Sequence, residues 1–195
     1  MKRKTIIILL VIAVGLFFLW TGFLWKVFSC GFAGSYPCAE AWSLNVPENE
    51  LIEIIKEIKK EHPELQPPGD TALTEGRVKN WDSTELVQPV DWNSIPPQYS
   101  YWYYITFYYP DTKENVYTWT RPNDDPSFTT FAFVSISSHI DSLTPIKEIK
   151  SYSYEINRDF GYFANNREIR KFEDKILELI KRKIRERKET HNGNT

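Results

Sequence analysis

The chain opens on a run with no hydrophobic period and then becomes patterned. From residue 5 to residue 25 no charged side chain interrupts TIIILLVIAVGLFFLWTGFLW. At about 1.5 Å of rise per residue, a helix of this length crosses a hydrocarbon core about 30 Å thick. Its apolar residues cover all faces, unlike the single stripe of a helix that packs on a globular core. Phe17, Phe18, Trp20, Phe23, Trp25 and Phe28 crowd the C-terminal half, where an interfacial belt would sit, and Lys26 can snorkel to headgroups. Lys2, Arg3 and Lys4 flank the other end. The positive-inside rule then predicts a cytoplasmic basic flank at 1–4 and a transmembrane or signal-anchor helix at 5–28. The remainder is expected outside the cytoplasm, in a periplasm or on a cell surface.

The pattern beyond the anchor changes several times. A spacer is expected at 29–46. Residues 47–61 predict a helix, with Pro47 suited to the first turn and Leu51, Ile54, Ile55 and Ile58 on one stripe. Residues 64–98 hold no sustained period and many prolines, and read as a loop with short strands near 77–79 and 85–87. Strands follow at 101–109, 116–121, 128–137 and 149–156, separated by polar turns of hairpin type. A helix is predicted from about 166 to 188, capped by Asn165 or Asn166. Its stripe is Ile169, Phe172, Ile176, Leu179, Ile180 and Ile184, with Arg170–Asp174 and Glu178–Arg182 as ion pairs four apart. A disordered tail at 191–195 ends the chain. The fold class expected is α+β: one domain over 47–190, with a four-stranded, mainly antiparallel sheet covered by an N-terminal and a C-terminal helix.

Charge sharpens this outline. Of 24 basic residues four precede Glu40, whereas all 26 acidic residues lie at or beyond it, so the exported part carries a net charge of −6. That sign excludes a phosphate-backbone binder as the first choice, and no base-reading motif is present. Within this acidic domain, 181–188 (KRKIRERK) is basic, which fits a helix end beside an acidic neighbour.

The chemistry-bearing residues are sparse. Cys30 and Cys38 are the only cysteines, too few for a metal site. They either close a small disulfide loop around 31–37 or leave Cys30 for acylation, because Val27-Phe28-Ser29-Cys30 loosely matches a lipoprotein box. Removal of the segment near 39–41 is a third route. Of the histidines, His62 ends a helix and His191 sits in the tail. Ser137, Ser138, His139 and Asp141 are adjacent in sequence, whereas a triad converges in space. No G-x-S-x-G elbow or glycine-rich phosphate loop occurs. Asp124-Asp125 and Glu155 with Asp159 could serve as paired carboxylates or a calcium site, but Asp124-Asp125 lies in a Pro-flanked turn, where Asp is favoured for local hydrogen bonding. Neither enzymatic activity, cofactor nor metal is therefore expected.

Aromatic residues are the one excess. Alternation along 101–109 puts Tyr101, Tyr103, Phe107 and Tyr109 on one face and Trp102, Tyr104 and Tyr108 on the other. The second set, joined by Trp119 or Tyr117, forms a candidate binding shelf, with Trp81 and Trp92 as partners or cover. Trp and Tyr dominate interface energetics, so a non-catalytic domain that binds an extracytoplasmic protein is expected, of assembly-factor or immunity type. Glycan or cell-wall binding through exposed Trp and Tyr is the alternative, and a hydrolase of unknown type the third.

Overall fold

The structure, a computed structural model, describes residues 38–68, 75–78, 86–87, 101–138 and 152–192. The expected anchor at 5–28, Cys30, Trp81, Trp92 and His139 lie outside these residues. Two compact units divide the chain, Met1–Cys38 and Ala39–Thr195, and the second carries every element below.

Three long strands form the centre: β4 (Tyr103–Tyr109), β5 (Glu114–Pro122) and β6 (Thr129–Ser138), paired antiparallel. Their β-branched and aromatic side chains suit a pleated surface buried on one side. The β4–β5 turn has Lys113 in the left-handed region (φ 55°). In the β5–β6 turn, Asp125 Oδ1 accepts from the Ser127 backbone N–H (2.9 Å) and hydroxyl (2.6 Å). Asp125 is thus a turn residue, as its proline flanks imply.

The sheet is wider than the four strands expected. Its order is β1–β6–β5–β4–β2–β3, with β1 at Glu40–Leu44, β2 at Glu75–Val78 and β3 at Leu86–Val87. β7 (Ser153–Glu155) pairs with β6 at 135–137, beyond the stretch 129–133 that β1 occupies, so the two share one edge end to end. β1 comes from the expected spacer, where five residues are too few for a period to stand out. β2 reads EGRV, a poor strand by propensity, and tertiary contacts hold it.

Those contacts come from α1 (Glu48–Glu61). Leu51, Ile52, Ile54, Ile55 and Ile58 are at most 1% exposed against the inner face of the sheet. Two buried ion pairs tie the same helix to β2. The Arg77 guanidinium donates to Glu48, which also accepts from the Thr120 hydroxyl at 2.7 Å. Lys59 Nζ donates to Glu75 Oε1 at 2.7 Å and to the Thr106 carbonyl at 2.8 Å. Burial pushes Glu48 above its ordinary 4.5 despite the Arg77 charge, and pushes Lys59 below its ordinary 10.5 despite Glu75. Desolvation thus offsets much of each attraction. The pairs select β2 and its register more than they add stability.

The C-terminal helix begins at Tyr162, four residues before its expected start, as α2 (Tyr162–Phe172). Gly161 occupies the cap position, and Asn165 instead lies buried in the first turn. A π-helical stretch, Glu173–Leu177, leads into α3 (Glu178–Asn192). The wider π turn falls between Arg170 and the helix beyond, and Arg170–Asp174 does not pair; nor does Glu178–Arg182, whose members pair instead with Lys181 and Glu186. Phe172, Ile176, Leu177 and Ile180 are fully buried, with Phe172 stacked on Phe133 at 4.5 Å and on Trp42 at 5.4 Å. Lys183 and Arg187 reach Glu61 and Glu57 of α1, at 2.6 and 2.7 Å, so part of the basic stretch faces an acidic neighbour. Among the described residues no helix is long and apolar enough to cross a membrane.

Candidate functional site

The outer face of the sheet, away from α1 and α3, collects the aromatic candidates. Cross-strand pairing sets Tyr104 opposite Trp119, Thr106 opposite Tyr117 and Tyr108 opposite Asn115. Trp102 meets Trp119 edge-on at 6.5 Å. The structure therefore brings Trp102, Tyr104, Tyr108 and Trp119 onto one face. It does not expose them equally: Trp119 and Tyr108 are buried, while Trp102 and Tyr104 are half-buried. The residues most open to a ligand are Tyr101 (44% exposed) and Tyr117 (38%).

Two members of this cluster were not on the expected shelf. Alternation groups Tyr101 with Tyr103 on the inner face, but it precedes β4, and its ring turns outward while its hydroxyl donates to the Pro122 carbonyl at 3.0 Å. Its own carbonyl accepts from buried Arg77 at 2.6 Å, which holds the backbone in place. Arg121 lies two residues beyond Trp119, so the alternation of β5 puts it on the same face. Its guanidinium stands 5.6 Å over the Trp119 ring and 5.7 Å over the Tyr101 ring. Among the described residues Arg121 makes no ion pair. A half-buried cation held on two aromatic faces, with no carboxylate on it among the described residues, suits an acidic or π-rich ligand group.

The opposite end of the strands holds a second polar cluster. Glu114 is buried and accepts from Tyr152 at 2.6 Å, from Lys171 at 3.4 Å and from Thr112. Burial and this hydrogen bond push the Tyr152 phenol up to about 12. Lys171 also sits 4.0 Å over the Tyr109 ring. The partners come from the β4–β5 turn (Thr112), the residue before β7 (Tyr152), α2 (Lys171) and the end of β4 (Tyr109), so the cluster clamps these segments together.

Other expected chemistry is dispersed. His62 Nδ1 faces Glu64 at 3.1 Å on the surface, and the His191 side chain lies outside the description. Arg158 holds Glu155 at 2.7 Å, and Asp159 accepts from the Glu155 backbone N–H at 2.8 Å, which makes that carboxylate pair a closed turn. Cys38 is disulfide-bonded; Cys30 lies outside the described residues. No group of metal-ligating side chains occurs among the described residues. In comparisons with known proteins, the chain matches no family model, no curated protein and no solved structure.

Proposed function

We propose that this chain is a membrane-anchored, extracytoplasmic, non-catalytic binding domain whose ligand is a protein partner, in an assembly or immunity-type role. The anchor is the charge-free segment 5–25 with its basic N-terminal flank. The observation that carries the binding reading is the Tyr101–Arg121–Trp119 stack. Trp, Tyr and Arg are the residue types that concentrate binding energy at protein interfaces, and here all three meet around one guanidinium that makes no ion pair among the described residues. An acidic loop or an aromatic side chain from a partner fits that platform.

Affinity capture with the detergent-solubilised full chain tests this. A stoichiometric protein partner should be retained, and Arg121→Ala or Tyr101→Ala should weaken its binding by at least about tenfold. Retention on cell-wall polysaccharide, equally sensitive to Tyr101, would transfer the site to glycan binding. Orientation has its own test. Protease added outside an intact inner membrane should digest the domain, and digestion only after lysis would overturn the extracytoplasmic placement.

A further inference from the structure

We propose that the first two turns of α2 rest on anionic lipid headgroups of the bilayer that holds the chain, with Tyr162 and Phe163 in the interface and Arg167 and Arg170 on phosphates. This rests on the membrane-anchored reading above and adds a second, reversible contact to it.

The exposure of the two rings is the first observation. Phe163 is 87% exposed and Tyr162 75%, far above every other large apolar side chain described, and the rings stand edge to face at 5.4 Å. They sit one turn or two from Asn166, Arg167 and Arg170, all on one side of the helix. The other side buries Asn165, Glu168 and Phe172. An aromatic pair backed by cations on one helix face is the composition of an interfacial helix.

Charge supports the same occupant. Lys171 and Lys175 are engaged by Glu114 and Asp111, at 3.4 and 3.0 Å. Arg170 makes no ion pair among the described residues. Arg167 touches Glu168 only at 3.4 Å, and its side chain remains 76% exposed. Asp174 is exposed on the same surface, so the charge presented beside the rings is that of two guanidinium groups offset by one carboxylate, a net positive face that a phosphate surface complements.

Position is the third argument. Glu40, the first residue of β1, accepts from Asn157 Nδ2 at 2.9 Å. Asn157, in the left-handed region at φ 61°, exchanges two hydrogen bonds with Asn165, at 2.7 and 2.6 Å. That relay fixes the start of α2 beside the point where the chain joins the domain. The apolar segment ends at residue 28, and twelve residues span at most about 40 Å. The ring pair thus lies on the side of the domain where β1 begins, the side the chain enters from the anchor segment.

The test uses the full chain with p-benzoylphenylalanine in place of Phe163, reconstituted into vesicles of phosphatidylcholine alone or with roughly one-third phosphatidylglycerol. Flotation reports the anchor, and the mass of photo-adducts reports what the ring touches. The chain should float with both vesicles and form phospholipid adducts in the anionic ones, reduced at least about fivefold in phosphatidylcholine or by R167E with R170E. Flotation without lipid adducts would overturn the headgroup contact and leave the anchor standing. Failure to float would overturn the anchored reading itself. In native membranes, a protein adduct at this position in place of lipid would also overturn the proposal. Position 163 and both arginines are exposed, so none of these changes touches the core.

Discussion

On the inner face of β4, Tyr103, Ile105, Phe107 and Tyr109 are at most 1% exposed, whereas Trp102, Tyr104 and Thr106 on the outer face keep partial contact with water. One nearly all-aromatic strand thus serves two purposes. Inside, α1 and the C-terminal helix close over it, and Phe107, Phe131 and Phe172 meet in one cluster. Outside, the aromatics share space with Arg121, and the arrangement leaves a charged, partly open surface. Inner residues should therefore govern folding and outer residues recognition.

The largest test of that division lies at the buried ion pair. Arg77→Met leaves Glu48 buried without its counter-charge and should cost about 3–5 kcal/mol in urea unfolding. Adding Glu48→Leu should restore most of it, because desolvation of both charges is relieved together. If the double variant is no better than the single one, the pair does more than select the register of β2.

Truncation in the helix stripe comes next. Ile176 is fully buried in the π turn, so Ile176→Ala should lower stability by about 2–5 kcal/mol through lost transfer energy and a residual cavity. Lys175, its neighbour, pairs with Asp111 on the surface, and Lys175→Ala should cost no more than about 1 kcal/mol. Equal losses would mean that the inner face does not extend to this helix.

A smaller effect depends on pH. The hydrogen bond from Lys175 holds the Asp111 carboxyl below its ordinary 3.8. The folded state therefore releases that proton more readily than the unfolded chain, and the stabilisation is present above 3.8 and lost as pH falls through the lowered value. At neutral pH, Asp111→Asn should cost about 0.2–1 kcal/mol, since the group is largely exposed. The gap between variant and parent should close in acid. A gap that widens on acidification would reverse the sign of the interaction.

The smallest expected change belongs to the outer face. Tyr117→Ser should alter stability by no more than about 0.5 kcal/mol, because the ring is partly exposed and its hydroxyl only accepts from Ser137 at 3.2 Å. A loss as large as that of Ile176→Ala would show that the outer face is a second core.

The sequence by itself determined what repeats within a short window. The stripe Leu51, Ile54, Ile55 and Ile58 is buried as its spacing predicts, and so are Phe172, Ile176, Ile180 and Ile184. The inner positions of β4 follow from strict alternation, apart from Tyr101, which lies just outside the strand. Even Arg121 was legible in principle, two residues from Trp119 on one face. Tertiary structure alone decided the rest. Short strands near 77–79 and 85–87 were legible, but not the place of β2 in the sheet: Glu75 and Arg77 find Lys59 and Glu48, residues 16 and 29 positions away along the chain. Asn165, a good cap by type, became the buried partner of Asn157 and moved the helix start to Tyr162, which put Phe163 into water beside Arg167. Local periodicity records which face of an element is apolar. Which distant charge or amide will satisfy a buried polar group is settled only when the chain has folded, because that choice depends on distances no local window contains.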